Sequence, residues 1–234
     1  MDSPGTALLL HGSGSTGEFA ERALGAALRA EGWQVRALED RTGDVAAVER
    51  AIGRAAAHGD GPLLLAGISL GAHAAVRWAA DGLQARLVGL LLALPAWTGA
   101  PADVAALSAL AADDVERDGL DQVLARLRHQ GWVGAELARA WPRYGQQRLV
   151  RALRATAVAP GPTPAQLAAV PVPVGLVAVA GDPFHPVQVA EQWQRLLPRA
   201  ALEVLPADAP AADRSVIGRQ GLRALRQVCA TGSR

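Results

Sequence analysis

The fold is decided by one stretch of the chain, Leu63-Leu64-Leu65-Ala66-Gly67-Ile68-Ser69-Leu70-Gly71-Ala72-His73. A short apolar run leads into a Gly-x-Ser-x-Gly pentad, and an alanine-rich segment with helical character follows. The pattern predicts a strand, a tight turn and a helix, with Ser69 at the bend and glycines where a Cβ would not clear neighbouring elements. Such a turn lifts the Ser69 hydroxyl above the carboxyl edge of a sheet and directs the helix N-terminus at any ligand there.

Composition limits the classes of function. The chain has 234 residues, half of them hydrophobic, and a net charge of +1. These values are typical of one sizeable globular domain and offer no basic face to nucleic acid or to an anionic membrane. All basic residues are arginine, which excludes lysine nucleophiles, and Cys229 is the only cysteine, which excludes an intramolecular disulfide. No signal-type segment is present and no apolar run approaches the ~20 residues that span a bilayer, so we expect a cytoplasmic protein.

Apolar runs predict six strands, at 6–10, 33–38, 63–66, 87–94, 173–180 and 200–205. Segments with helical spacing lie between and after them, at 18–31, 44–58, 70–80, 187–197 and 213–229. Short, wholly apolar strands that alternate with helices predict an α/β fold, in which a six-stranded parallel sheet carries helices on both faces. Ligands of such sheets bind beyond the carboxyl ends of the strands, where the loops at His11, Ser69 and Asp182 meet.

Residues 97–165 interrupt this alternation. They contain no strand pattern and predict helices at roughly 102–111, 114–130 and 134–157. We therefore expect a small helical lid, inserted into a core made of residues 1–96 and 166–234. The aromatic residues near its turns are candidates for lining a substrate pocket: Trp97, Trp132, Trp141 and Tyr144.

Three motifs, in this order along the chain, resemble the α/β-hydrolase superfamily. The first, His11-Gly12-Ser13-Gly14, is similar to the loop that supplies an oxyanion-hole N–H, here that of Ser13. The second, Gly67-Ile68-Ser69-Leu70-Gly71, is similar to the nucleophile elbow, so Leu70 would supply the second N–H. The third, Gly181-Asp182-Pro183-Phe184-His185-Pro186, is similar to the acid loop and carries Asp182. The resemblance covers essentially the whole chain, without the family's first hairpin.

One departure from the family concerns the catalytic base. The family's histidine follows the last strand, whereas segment 205–214 of this chain contains no histidine. A serine hydroxyl needs a neighbouring base to become a nucleophile at neutral pH. His185, three residues after Asp182, is the leading candidate if its loop folds inward, although it is equally suited to local packing.

The remaining histidines are weaker candidates. We expect His11 to order the oxyanion loop and His73 to pack beneath the elbow. We expect His129 to lie above the site, in the lid, and His58 to end a helix. Together with Gly12, His11 and His129 are also candidates for lining the pocket. Asp208 and Asp213 are possible carboxylate bases, but we expect solvated loop residues there, with Asp213 capping the last helix.

These observations predict an enzyme that hydrolyses ester, thioester or lactone bonds through Ser69, Asp182 and His185. Two alternatives stay open because of the missing histidine: a lyase or cyclase whose oxyanion hole stabilises an enolate, and an inactive ligand-binding or interaction module. The expected ligand is a small apolar acyl or aromatic compound. No metal or cofactor is expected, since the histidines are scattered and no dinucleotide or phosphate-loop fingerprint is present. The oligomeric state is not predicted.

Overall fold

The predicted strands form a parallel sheet. The computed structural model of the protein describes residues 5–58, 60–82, 84–101 and 103–231. Its strands are β1 (Thr6–Leu10), β2 (Gln34–Leu38), β3 (Leu63–Ile68), β4 (Leu87–Ala93), β5 (Val174–Val179) and β6 (Ala200–Leu205). Their order is β2-β1-β3-β4-β5-β6 and every neighbouring pair is parallel. The order reverses between β1 and β3, which is where ligands bind in open parallel sheets.

Helices cover both faces of the sheet, as predicted. They are α1 (Gly17–Ala20), a π-helical turn (Glu21–Gly25), α2 (Ala26–Ala30), α3 (Val45–Ala56), α4 (Leu70–Ala80), α5 (Asp103–Asp118), α6 (Leu120–Leu127), α7 (Gly131–Ala140), a 3₁₀ turn (Trp141–Arg143), α8 (Gln146–Ala157), α9 (Pro164–Ala168), α10 (Val187–Leu196), α11 (Ala209–Ala212) and α12 (Val216–Thr231). Successive strand residues point to opposite faces. Leu8 therefore packs in a buried cluster with α3, α4 and α10, whereas Leu9 packs with α2 and α12.

Helices α5–α8 lie between β4 and β5 in the chain and share a separate cluster of buried side chains. We call them the inserted helices. The break predicted at 112–113 is wrong, because α5 continues unbroken to Asp118, and the single helix predicted over 134–157 is divided at residues 141–145. The break predicted near 131–133 is present as the turn at residues 128–130 between α6 and α7. The other two breaks contain Gly119 and Gly145, with φ of +82° and +68°. Side-chain-bearing residues rarely adopt this backbone conformation, so each glycine separates two helices. The predicted start of the first helix, Ala102, lies outside the described residues, as do residues 1–4, 59, 83 and 232–234 of the predicted core.

Candidate active site

Ser69 occupies a strained turn between β3 and α4. Its backbone has φ +53° and ψ −118°, a conformation that residues with a side chain seldom adopt and that occurs mainly at functional sites. The Ser69 N–H donates to the carbonyl of Ala93 on β4 (2.9 Å), while the Ser69 carbonyl accepts from the N–H groups of Ala72 (2.9 Å) and His73 (3.1 Å). These bonds hold the bend at the carboxyl edge of the sheet, where the sequence pattern predicts it.

Close backbone contacts explain the glycines around Ser69. A Cβ on Gly67 would lie 2.5 Å from the carbonyl oxygen of Gly71, and one on Gly71 would lie 2.4 Å from the carbonyl oxygen of Leu10. A Cβ on Gly12 would lie 3.0 Å from the Ser69 Cβ. Real Cβ atoms rarely approach other atoms this closely. The glycine at 67 therefore allows α4 to begin directly against β3, and those at 12 and 71 allow the loop after β1 to pack against the elbow.

Ser69, His185 and Asp182 form a continuous hydrogen-bonded chain. The His185 Nδ1–H donates to Asp182 Oδ2 (2.9 Å), which leaves Nε2 free to accept from the Ser69 hydroxyl (3.0 Å). Both His185 and Asp182 are largely shielded from water, with side chains 13% and 2% exposed. His185 and Asp182 therefore come from one loop, three residues apart, and the imidazole tautomer set by Asp182 presents Nε2 as an acceptor to Ser69.

The Asp182 carboxylate also explains why this loop folds inward. Burial tends to raise the pKa of Asp182, but the hydrogen bond and charge of His185, together with backbone hydrogen bonds, lower the pKa overall. Those backbone bonds come from the N–H groups of Phe184 (2.8 Å) and His185 (3.2 Å), both to Oδ1. One carboxylate oxygen thus closes the turn while the other orients the imidazole toward Ser69.

The loop after β1 forms a tight turn beside Ser69. The Ser15 N–H donates to the Gly12 carbonyl (3.2 Å), and Gly14 has φ +63° whereas Ser13 has negative φ, the pattern of a type II turn. Ser13 is at the second position of this turn, so its N–H takes no part in the bond that closes it. Leu70 is the first residue of α4, so its N–H has no carbonyl one turn earlier within the helix. The hydrogen bond that closes the turn and the hydrogen bonds within α4 thus use neither of these two N–H groups, which belong to the candidate oxyanion donors.

His11 and His73 serve backbone contacts. His11 is buried, its Nδ1 lies 2.8 Å from the Gly12 carbonyl, and its Nε2 accepts from the Asp40 N–H (3.1 Å). It therefore ties the oxyanion loop to the end of β2. His73 is fully buried beneath the elbow and accepts from the Ala96 N–H at Nε2 (3.1 Å). Burial, with smaller effects of nearby positive charges, lowers the pKa of His73 to about 3, so it stays neutral at physiological pH.

The carboxylates after β6 take no part in the triad. Asp208 is exposed just before α11, and Asp213 lies between α11 and α12. The Asp213 carboxylate accepts from the side chain and N–H of Ser215 and pairs with Arg219, and these contacts lower its pKa to about 2. Helix α12 accordingly begins at Val216, three residues later than predicted, because Asp213 and Ser215 form a turn before it.

Two adjoining chambers open from the triad. The first has a volume of about 120 Å³, and the second about 80 Å³. Both are lined by Ser13, Ser69 and His185. Among the predicted pocket residues, Trp97 and Trp141 line the first chamber, whereas Gly12 and Trp132 line the second.

Three predicted pocket residues line neither chamber, which corrects the sequence-based expectation. His129 is exposed on the turn after α6, and His11 is turned toward Asp40. Tyr144 is buried among the inserted helices, where its hydroxyl donates to the Ser15 carbonyl (2.7 Å), and burial raises its pKa. Their positions depend on tertiary packing that local spacing does not reveal.

Sequence reasoning also missed most of the chamber walls. Most of the aliphatic side chains of the first chamber, and its phenylalanine, come from α5, α7, α8 and the acid loop: Val104, Leu107, Ala111, Val133, Leu137, Leu153 and Phe184. Val133 and Leu137 are four residues apart and so share one face of α7. That spacing was readable in the sequence, but it cannot tell a face toward a cavity from a face toward a solid core.

No group of three or more His, Cys, Asp or Glu side chains among the described residues is arranged to hold a metal ion. Likewise, none of the described helices combines the length and apolarity needed to cross a bilayer.

Solved structures resemble this one across most of their length. A carboxylesterase of the thaumarchaeon Nitrososphaera gargenis gives a TM-score of 0.71 at 14% identity, covering 88% of this chain and 84% of that one. An enol-lactonase from Burkholderia xenovorans gives 0.68 at 12% identity, with coverages of 91% and 88%. This is the α/β-hydrolase fold. A bromoperoxidase from Bacillus anthracis shares it, with a TM-score of 0.69 at 15% identity and coverages of 95% and 91%.

No family model and no curated protein sequence matches the chain, so the fold is identified from the solved structures. The α/β-hydrolase fold predicted from three short motifs is thus confirmed by shape alone. A fold shared at such low identity does not define an activity, which has to be argued from the residues of the site.

Proposed function

We propose that this protein is a serine hydrolase that cleaves ester, thioester or lactone bonds of small, largely apolar acyl or aromatic compounds. The observation that carries the proposal is the hydrogen bond of 3.0 Å between Ser69 Oγ and His185 Nε2, extended by the bond of 2.9 Å to Asp182. A hydroxyl with an oriented base at this distance has the arrangement of an activated nucleophile.

The proposed reaction begins with attack of Ser69 Oγ on the carbonyl carbon of the substrate, while the hydroxyl proton passes to His185 Nε2. The carbonyl oxygen becomes an oxyanion that accepts hydrogen bonds from the N–H groups of Ser13 and Leu70. The positive end of the α4 dipole adds to this stabilisation. Asp182 holds the imidazole in place and stabilises its positive charge without taking the proton.

The intermediate then expels the alcohol or thiol, which leaves with the proton from His185, and an acyl-enzyme on Ser69 remains. A water molecule attacks this ester as His185 takes one of its protons. Collapse of the second intermediate returns the proton to Ser69 and releases the carboxylic acid. The same three side chains thus serve both halves of the reaction.

The two alternatives, a non-hydrolytic enzyme and an inactive binding module, both depend on the absence of a histidine after β6. A histidine within hydrogen-bonding distance of Ser69 removes this basis for both. No other feature of the described residues favours either alternative.

Covalent labelling tests the proposed function. A fluorophosphonate probe, which reacts with activated serines, is expected to label the wild-type protein and to leave Ser69→Ala unlabelled. Ser215→Ala is the matched control, since Ser215 bonds to Asp213 before α12, and it should label normally. Absence of labelling, together with no turnover of short p-nitrophenyl esters or acyl thioesters, would contradict the proposal.

The oxyanion loop gives a second prediction. Proline is favoured at the second position of a type II turn, so Ser13→Pro should preserve the turn while it removes the N–H. We expect kcat for an ester to fall roughly 10²–10³-fold, the usual cost of losing one oxyanion donor. Steady-state kinetics on a p-nitrophenyl ester would measure this.

The control is Ser13→Ala, which keeps the N–H. Both variants lose the short hydroxyl contact between Ser13 and Thr156 (2.5 Å), so the difference between them reports the change at the backbone nitrogen, where proline carries a ring carbon in place of the hydrogen. Equal activity of Ser13→Ala and Ser13→Pro, with both folded by circular dichroism, would show that Ser13 supplies no oxyanion bond.

A further inference from the structure

Helix α7 lies over the triad and presents two side chains to both chambers. Val133 and Leu137 are the inserted-helix residues that line the first chamber and also the second. They are one helical turn apart and therefore form a continuous ridge. The other residues common to both chambers are Ser13, Ser69 and His185, so the ridge faces the reacting groups.

The first chamber, on one side of this ridge, is predominantly apolar. Its walls include Val104 and Leu107 from α5, Leu153 from α8 and the ring of Phe184, and its volume is about 120 Å³. An apolar protein cavity of roughly 150 Å³ holds one benzene molecule. The first chamber is therefore of the right size for an apolar group of about four to six carbon atoms.

The second chamber is smaller, at about 80 Å³, and is lined on one side by Phe19 and Trp132. These two rings stack with centroids 6.4 Å apart, which closes that side. Leu94 contributes to the wall from a left-handed backbone conformation with φ +56°. This chamber has room for a group of about two or three carbon atoms by the same comparison.

Ion pairs fix the ridge in position. Glu136, between Val133 and Leu137 on α7, contacts Arg22 in the π-helical turn and Arg214 after α11 (Arg214 Nε to Oε1, 3.0 Å). The Glu136 side chain is only 12% exposed, and the Arg214 guanidinium also lies 5.3 Å from the Trp132 ring centroid. The helix that carries the ridge is thus tied at two points to the helices on one face of the sheet, those next to Arg22 and Arg214. The boundary between the chambers therefore has a rigid support.

We infer that Val133 and Leu137 set the size of the substrate by dividing the site into these two chambers. The inference rests on the proposed hydrolase function and narrows its substrate class. The preferred substrate is a small ester with one apolar arm of about four to six carbons and a second arm of about three or fewer. The scissile carbonyl lies where the arms meet, at Ser69.

Two series of unactivated esters, followed by acid release in a pH-stat, test this. Methyl esters of straight-chain acids vary the acyl arm, and alkyl acetates vary the alcohol arm. In the wild-type protein, kcat/KM is expected to peak at about four to six carbons in one series and to fall at least roughly tenfold by ten carbons. The series that shows the peak identifies the arm held by the first chamber. A wild-type profile that stays flat to ten carbons in both series overturns the inference.

Leu137→Ala removes part of the ridge, and each additional methylene that finds room is worth roughly fourfold in binding. We therefore expect kcat/KM for the ten-carbon ester to rise about tenfold or more, with less than about a threefold change for the four-carbon ester. Val133→Ala, a smaller truncation, should shift the profile in the same direction if Leu137→Ala does not fold. Leu110→Ala, an exposed position on α5, is the matched control and should keep the wild-type profile.

An unchanged profile in a folded ridge variant that still hydrolyses esters overturns the inference and leaves the hydrolase proposal standing. Absence of both probe labelling and ester hydrolysis in the wild-type protein instead contradicts the hydrolase proposal. The two failures are therefore distinguishable.

Discussion

Replacing His185 with alanine is expected to lower kcat for ester hydrolysis by a factor on the order of 10⁶, the loss seen when a serine protease loses its base. Without the imidazole 3.0 Å from its Oγ, Ser69 keeps its proton and is a poor nucleophile. Residual activity, roughly 10³–10⁴ above water, should remain from binding and the oxyanion hole. Steady-state kinetics of purified wild-type and variant proteins on one p-nitrophenyl ester would measure the loss.

Two further variants separate loss of the base from general damage. Ser69→Ala combined with His185→Ala should be no worse than either change alone, because the two groups act as a unit. His129→Ala is the matched histidine control and should keep full activity, since His129 is exposed on a turn away from both chambers. If folded His185→Ala kept more than about a tenth of wild-type kcat, the base would lie elsewhere and the proposed triad would be wrong.

The acid loop shows what the sequence could reveal about the site. The types of residue are readable: a carboxylate at Asp182 and an imidazole three positions later. Their joint orientation toward Ser69 is not, because it depends on the turn that Oδ1 of Asp182 closes with the N–H groups of Phe184 and His185. Local packing and a catalytic role predict the same residues at the same spacing, and the three-dimensional path of the loop distinguishes them.

The fold was more predictable than the walls of the site. Six apolar runs and the Ser69 pentad are enough for a parallel sheet, since burial on both faces leaves few other arrangements for such strands. The bounds of the inserted helices could not be predicted in the same way, because Gly119 and Gly145 end helices only through their backbone conformation. The buried position of Tyr144 could not be predicted either, because its hydroxyl donates to the Ser15 carbonyl, a partner distant in sequence. Aromatic residues of such helices are more often core than pocket, and their tertiary partners decide each case.

Gly71→Ala is expected to damage both stability and activity. The new Cβ would lie 2.4 Å from the Leu10 carbonyl oxygen and 2.8 Å from that of His11, both of them backbone atoms that cannot rotate away. Helix α4 or the end of β1 must shift, and overpacking of this kind costs roughly 1–3 kcal/mol, occasionally more. The shift also separates Ser69 from the loop that carries Ser13, and a misplacement of about 1 Å can cost roughly 10²-fold in rate. Urea denaturation and ester kinetics would measure the two effects.

Gly53→Ala is the matched control, because it makes the same chemical change within a helix. A Cβ there meets only Trp78 Nε1 at 3.6 Å, an ordinary contact, so the better helix propensity of alanine should raise the free energy of unfolding by roughly 0.5–1 kcal/mol. Gly71 gains the same propensity, and the difference between the variants therefore isolates the contact with β1. If Gly71→Ala were as stable and active as Gly53→Ala, the elbow would not require this approach of two backbones.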